Sequence, residues 1–221
     1  VKSKKENNLK IKTDALYAFD KEIVLSRGCS PAGVDEAGRG AFAGPVIAAA
    51  VCLDYDKPPI EGINDSKKLS EAARDRLYDQ IVTSARGWAV GSASREEIDK
   101  YNILEATYLA MKRALDSLVC IWDYTLIDGN RSVPYIPDNK QQTIIAGDAN
   151  SAAIAAASII AKVTRDRLMV AAHERYPQYD FITNKGYGTE QHRKAIEACG
   201  LCELHRRSFC EDLVLQTRLE L

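Results

Sequence analysis

One stretch constrains this chain more than any other. It is Gly33-Val34-Asp35-Glu36-Ala37-Gly38-Arg39-Gly40, followed almost at once by the apolar run Pro45 to Leu53. The run has the length and character of a buried strand, so the segment before it sets two adjacent carboxylates against a core. Neighbouring residues on a strand point to opposite faces, so Asp35 and Glu36 reach one site only where the strand ends or kinks. Gly38 and Gly40 permit that, because glycine takes backbone angles other residues avoid. The chemistry this suits is a cation held by carboxylates, with bare backbone N–H groups and the Arg39 guanidinium at hand to receive an anion. The plainer alternative is a polar turn between two strands.

The rest of the chain reads as strands alternating with helices. The Lys-rich start, residues 1–12, reads as a flexible segment. Asp14 to Arg27 carries Leu16, Phe19, Ile23 and Val24 at helical spacing and is expected to pack on the main domain. Ala32–Asp35 and Pro45–Leu53 form a first pair of strands. Ser70 caps a helix to about Ala85, and Gly87–Ser92 is a short strand. Ser94 with Glu97, and Asn102 with Glu105, open two further helices, the second running to about Leu118. Tyr124–Asp128 and Gln142–Ile145 are strands. Asn150 opens a long helix to about His173 whose first half is apolar nearly all round and should be deeply buried. Thr189 starts a shorter helix ending at Gly200. A hairpin followed by alternating strands and helices predicts a mixed sheet covered by helices, in a catalytic domain over residues 13–212 with a tail at 213–221.

Further acids stand where strands stop or helices begin. Asp128 ends one strand, with Gly129 marking the stop, and Asp148 precedes the long helix. Taken singly each reads as a turn or cap residue, Asp148 above all. If they converge with Asp35 and Glu36, four carboxylates in one cleft repel unless cations neutralise them. Oxygen-only ligands favour Mg2+ or Mn2+ over Zn2+, and two such ions ~3.5–4 Å apart can hydrolyse a phosphodiester.

Composition adds limits rather than a function. With 30 basic and 31 acidic residues the net charge is −1, so nucleic-acid binding has to come from a local patch. Lys67 and Lys68 are candidates for phosphate contact, or simply a solvated pair; Lys162 interrupts an apolar helix face and must snorkel or be paired. Arg165 and Asp166 could pair with neighbouring turns. Tyr187, between Gly186 and Gly188, can stand out and stack on a sugar or base, whereas in a core it would need a hydroxyl partner. Six cysteines in 221 residues, one inside the apolar run, fit a reducing cytoplasm better than a disulfide framework. No apolar stretch is long enough for a membrane helix and no secretory leader is visible. Cys199, Cys202, His205 and Cys210 offer four zinc-type ligands, though at an uncommon spacing.

Seven segments in order resemble the type 2 ribonuclease H family, bacterial ribonuclease HII. They are Gly33 to Val51, Asp65-Ser66-Lys67-Lys68-Leu69-Ser70, Asp128-Gly129-Asn130, Gly147-Asp148, Ala155 to Asp166, Lys185-Gly186-Tyr187-Gly188-Thr189 and His205-Arg206-Arg207-Ser208-Phe209. Together they span roughly residues 20 to 210; Ala41 departs slightly from the proline or other small residue expected there. The resemblance implies an α/β protein of ribonuclease H-like fold: a five-stranded mixed sheet flanked by helices, with a C-terminal helical segment. It implies an endoribonuclease that hydrolyses the RNA strand of RNA–DNA hybrids. The same enzyme would cut 5′ of single ribonucleotides in duplex DNA, leaving 3′-hydroxyl and 5′-phosphate ends. It maps the Mg2+- or Mn2+-binding acids onto Asp35, Glu36 and Asp128, with Asp148 as the fourth. It places Lys162 near the phosphate path and Tyr187 against the nucleotide 3′ of the ribonucleotide, and gives the His205–Phe209 segment no metal role; Gly38, Arg39, Gly40 and Lys67 join them as substrate contacts on their own chemistry. A monomer acting in the cytoplasm is expected. Family members often recruit a replication clamp by a C-terminal peptide; Gln216 to Leu221 begins with Gln but has no aromatic pair, and no clamp contact is assigned to it. The rival readings are a catalytically silent nucleic-acid binder and a two-carboxylate glycosidase.

Overall fold

The computed structural model describes residues 4–219, with side chains from 8 to 213. Five strands form one sheet: β1 (Pro31–Ala37), β2 (Val46–Cys52), β3 (Gly87–Ala93), β4 (Tyr124–Asp128) and β5 (Gln141–Ile144), in the order β3-β2-β1-β4-β5. The first three strands are antiparallel neighbours, while β4 runs parallel to both β1 and β5. The sheet is therefore mixed, and the first two strands do form the expected hairpin. The helices are α1 (Lys4–Arg27), α2 (Glu71–Ser84), α3 (Arg95–Asp116), α4 (Ala152–Arg175), α5 (Phe181–Asn184), α6 (Glu190–Cys199) and α7 (Arg207–Leu219).

The wholly buried β2 explains the layering. Ile47, Ala49 and Val51 face a core made with α1, α2 and α4, while Val46, Ala48, Ala50 and Cys52 face one made with α3. A strand covered on both faces needs no polar side, hence its unbroken apolar run. Its alanines, and Gly33 beside it on β1, let α4 approach closely. A Cβ on Gly33 would lie 2.2 Å from the Ala153 carbonyl carbon. The apolar first half of α4 is buried, as its sequence predicts.

Both ends of the chain differ from the sequence expectation. Helix α1 starts at Lys4, so residues 4–12 are helical rather than a flexible segment; residues 1–3 lie outside the described residues. The helix is anchored by Leu16, Tyr17 and Ile23 and by polar ties at its buried face. Thr13 Oγ1 accepts from the Gly62 amide (3.1 Å), the Tyr17 hydroxyl from the Ile60 amide (3.1 Å), and Asp20 from the Ala153 amide (2.9 Å) and the Tyr55 hydroxyl (3.0 Å). Once a helix is nucleated, adding further turns is cheap, so the polar start propagates from this anchored stretch. At the other end, α7 carries the chain as helix through Leu219, into the stretch read as a tail; Glu220 and Leu221 lie outside the described residues.

The helix starts follow their capping signals. Ser70 Oγ accepts from the Ala73 amide, and Ser94 with Glu97 closes a reciprocal capping box. Asn102, at φ 70°, breaks α3 into the two helices read from sequence, its Oδ1 accepting from the Leu104 (2.9 Å) and Glu105 (3.2 Å) amides. The C-terminal helices close a third core around Met169, Tyr179, Phe181, Ile196 and Cys210. Among the described residues no helix is long and apolar enough to cross a membrane.

Candidate active site

The parallel pairing of β1 with β4 sets Val34 opposite Ile127, so Asp35 and Asp128 emerge together at the same end of adjacent strands. The pairing bridges a separation of 93 positions along the chain. β1 continues to Ala37, two residues beyond the expected end, before Gly38 turns the chain at φ +92°. Asp35 and Glu36 thus leave opposite faces of a strand that is about to end, and both line one cleft of about 230 Å3. Asp128 reaches the far side of Glu36, lining an adjoining recess with Glu36 and Arg39. A short turn, Gly147–Ala149, delivers Asp148; it is pinned by the Gly147 amide donating to Asp128 Oδ1 at 2.6 Å. The cap of α4 is Ser151, whose Oγ accepts from the Ile154 amide, so Asp148 is not spent as the helix cap.

The electrostatics show that these acids share one field. Burial comes first in raising the Asp35 carboxyl well above the ordinary range, followed by the charges of Glu36, Asp128 and Asp148. Burial also raises Glu36, with Arg39 opposing through an ion pair at 3.2 Å. Asp148 is pushed up to about 6, by burial and then by Asp65 and Asp128. Lys67 lies 4.0 Å from Asp148; burial lowers its pKa, but Asp148, Asp35, Asp65 and Asp128 outweigh that and hold it high. Asp65 is an acid for which the sequence predicts no role. It is buried, takes the Lys67 amide at 2.9 Å and pairs with Lys68 at 3.1 Å, so Lys68 is tied back while Lys67 faces the cleft.

The donor set fits a hard divalent cation. It consists of carboxylate oxygens, partly buried, with more negative charge than Lys67 and Arg39 neutralise. Among the described residues no three His, Cys, Asp or Glu side chains are grouped so that they could hold a metal ion by themselves. An open set of acids suits ions such as Mg2+, which keep several waters and share ligands with phosphates. The four zinc-type residues behave differently. Both ring nitrogens of His205 are engaged, Nδ1 accepting from the Cys202 amide (2.9 Å) and Nε2 meeting His192 Nε2 (3.0 Å), while Cys199 is exposed and Cys210 is buried in the third core.

Gly38, Arg39, Gly40, Lys67, Lys162 and Tyr187 all line the same cleft as Asp35 and Glu36. Lys162 is paired, its Nζ 2.7 Å from Asp166 Oδ1, and stands 5.6 Å from the Tyr187 ring centre. Two arginines depart from the sequence expectation: Arg165 does not pair with neighbouring turns, and Arg206 is one for which the sequence predicts no role. Arg165 and Arg206 are fully buried and point their guanidinium groups at backbone carbonyls. Arg165 donates to Ala43 (2.9 Å), Pro45 (3.0 Å) and Lys185 (2.9 Å); Arg206 donates to Gly38 (2.7 Å), Arg39 (2.8 Å) and Gly44 (2.9 Å). The glycines flanking Tyr187 serve this packing. A Cβ on Gly186 would sit 2.6 Å from the Ala43 carbonyl oxygen and one on Gly188 2.5 Å from the Phe42 ring.

A sequence model of the ribonuclease HII family matches residues 32–212. This chain belongs to the ribonuclease HII family. Ribonuclease HII 1 of Methylibium petroleiphilum is 53% identical over 80% of this chain and 88% of its own length. The ribonuclease HII of Clostridioides difficile is 50% identical over 82% of this chain and 70% of its own. Among solved structures, the ribonuclease H2 of Pyrococcus horikoshii superposes with a TM-score of 0.69 at 25% identity, covering 86% of this chain and 99% of that one. A ribonuclease HIII crystallised with Mn2+ shares the fold at 18% identity, with a TM-score of 0.66 over 86% of this chain and 71% of its own. As a ribonuclease HII family member, the chain is a divalent-metal-dependent ribonuclease H that acts on the RNA of RNA–DNA hybrids.

The buried histidine pair gives a pH prediction. Burial, then His192, pushes His205 down to about 4. A depressed histidine contributes nothing unfavourable above the unfolded pKa of about 6.5, and its stability is lost as pH falls from there toward 4. Asp20 and Asp148, both raised to about 6, change stability in the opposite sense over this range, so the comparison must be with a variant. In urea unfolding, the stability advantage of the wild type over His205→Phe is expected to shrink by about 2 kcal/mol between pH 8 and pH 5. A constant difference would show that His205 titrates normally.

Proposed function

We propose that the protein cuts duplex DNA on the 5′ side of a single embedded ribonucleotide as well as RNA in continuous hybrids, using Mg2+ or Mn2+. One juxtaposition supports this: the Gly38-Arg39-Gly40 backbone, the Asp35–Glu36 pair and the Tyr187 ring share a single cleft. Hydrolysis adds water to phosphorus and breaks the P–O3′ bond, leaving a 3′-hydroxyl and a 5′-phosphate. Two bound cations would activate the water and neutralise charge on the leaving oxygen. Asp35, Glu36, Asp128 and Asp148 would hold them. Lys67, exposed beside Asp148, takes a backbone phosphate, and Lys162 a second near Tyr187. The 2′-oxygen distinguishes the substrate from plain DNA, and the backbone of Gly38-Arg39-Gly40 meets it without a side chain intervening. Backbone contacts do not read base identity, so all four ribonucleotides serve. Tyr187 packs on the next, deoxy, sugar. The metal requirement is tested with an end-labelled hybrid: EDTA stops cleavage and either Mg2+ or Mn2+ restores it. Undiminished cleavage in EDTA contradicts the reading.

A stacking role makes the ring face matter more than the hydroxyl. Tyr187→Ala is expected to lower kcat/KM on a single-ribonucleotide duplex by about 10- to 100-fold, in line with about 1–3 kcal/mol per stacked base, and Tyr187→Phe by less than about threefold. Equal damage from both substitutions would point to a hydroxyl function instead.

A further inference from the structure

His205 and Arg206 are neighbours in sequence, and neither lines the cleft. Both are buried, at 1% and 0% exposure, and each ends on a segment that does line it. Arg206 holds the carbonyls of Gly38 and Arg39 directly. His205 works through His192, which is fully buried among Phe42, Tyr179 and Phe181. The Cys202 amide can only donate, so His205 Nδ1 is an acceptor and its hydrogen is on Nε2. The Tyr187 carbonyl can only accept, so His192 carries its hydrogen on Nδ1, 2.9 Å from that oxygen, and its Nε2 is bare. The remaining contact, Nε2 to Nε2 at 3.0 Å, is then a good hydrogen bond from His205 to His192. One pair of tautomers satisfies all three bonds, and the chain of donors runs in one direction toward Tyr187. The backbone adds to this brace: the Gly44 amide donates to the Leu204 carbonyl (2.9 Å), the Arg206 amide to Phe42 (2.8 Å), and the Phe42 amide to Gly186 (2.8 Å).

We infer that His205 and Arg206, with His192, are positioning residues. From adjacent places on the chain they set the Gly38-Arg39-Gly40 backbone and Tyr187 at a fixed separation across the cleft. This rests on the reading above that these two segments grip neighbouring sugars of the substrate. A misplacement of about 1 Å between groups that must act together costs on the order of a hundredfold in rate, so a rigid spacer of buried hydrogen bonds matters without touching substrate.

Two measurements test it. Nitrogen-15 NMR of the imidazoles in the wild-type protein at pH 7 should show His192 protonated at Nδ1 and His205 at Nε2; the opposite tautomer at either ring overturns the inference, whatever any variant does. Kinetics on a single-ribonucleotide duplex then test the coupling. His192→Phe, which fills the apolar cage and breaks the chain, should lower kcat/KM about tenfold or more, and His192→Asn, whose amide can still donate to the Tyr187 carbonyl, should recover most of that. In a Tyr187→Ala background, His192→Phe should cost less than about twofold. Arg206→Lys should lower the preference for the single-ribonucleotide duplex over continuous hybrid. If Tyr187→Ala is damaging but His192→Phe is harmless, or equally damaging in both backgrounds, the positioning role fails alone. An unchanged preference in Arg206→Lys removes Arg206 from it. If Tyr187→Ala itself has no effect, the substrate-gripping reading fails, and the inference with it.

Discussion

Asp35→Asn and Asp128→Asn are each expected to lower hybrid cleavage in Mg2+ by at least about a thousandfold, corresponding to about 4 kcal/mol of lost transition-state stabilisation, while binding of the hybrid is kept. Asparagine is the appropriate replacement because it retains the structural hydrogen bonds. Asp35 Oδ1 accepts from the Glu36 amide at 2.7 Å and Asp128 Oδ1 from the Gly147 amide at 2.6 Å. The same substitution at Asp35 should make the metal-free protein more stable. Its carboxyl is raised in the fold, first by burial and then by Glu36, so the folded state resists its ionisation and bears that cost at neutral pH. Removing the charge should therefore raise Tm in the absence of divalent ions. Loss of activity with gain of stability separates a functional acid from a structural one. Near wild-type cleavage by either variant would remove that residue from the metal set.

Gly40→Val is expected to cut single-ribonucleotide cleavage by about a hundredfold while leaving Tm within about 2 °C. The structure makes this a clean test, because a Cβ at Gly40 meets nothing within 4 Å. The added side chain therefore meets no neighbouring atom at its Cβ, and on the proposed reading it takes up cleft space that a sugar needs. Gly38 is the contrast. Its φ is +92° and a Cβ there would lie 1.9 Å from Arg165 Nε, so Gly38→Ala should destabilise the fold itself. A Gly40→Val protein that cuts normally would mean that the backbone here does not approach the substrate.

The two glycines show how far the sequence alone could be read. Both were legible as freeing the backbone beside the acids, but which one serves the fold and which faces open space depends on Arg165, 127 and 125 positions away along the chain. Local signals were read well. The Ser94–Glu97 box, the Asn102 cap and the Gly200 stop all act within a few residues, and each appears where its pattern predicts. The buried apolar half of α4 and the unbroken β2 were visible for the same reason. Arg206 was not. An arginine in an Arg-Arg pair near the C-terminus reads as a surface charge, and its partners are carbonyls more than 160 positions earlier, which carry no side-chain signature. His205 illustrates the opposite risk, since its spacing from cysteines suggested a ligand when both nitrogens were in fact used within the fold. The start of α1 was missed because residues 4–12 have little apolar periodicity of their own; their helicity is borrowed from the anchored turns that follow.

On the proposed reading, Gly38-Arg39-Gly40 and Tyr187 together recognise one ribose followed by a deoxyribose. A set of otherwise identical duplexes with none, one or four consecutive ribonucleotides in one strand tests it directly, with products mapped to the nucleotide in Mg2+. The account predicts no cutting of plain DNA, and cleavage of the single-ribonucleotide duplex on the 5′ side of the ribose. It also predicts a cut in the four-ribonucleotide duplex placed at the RNA-to-DNA junction. Efficient cleavage of the four-ribonucleotide duplex with the single ribonucleotide ignored would contradict it.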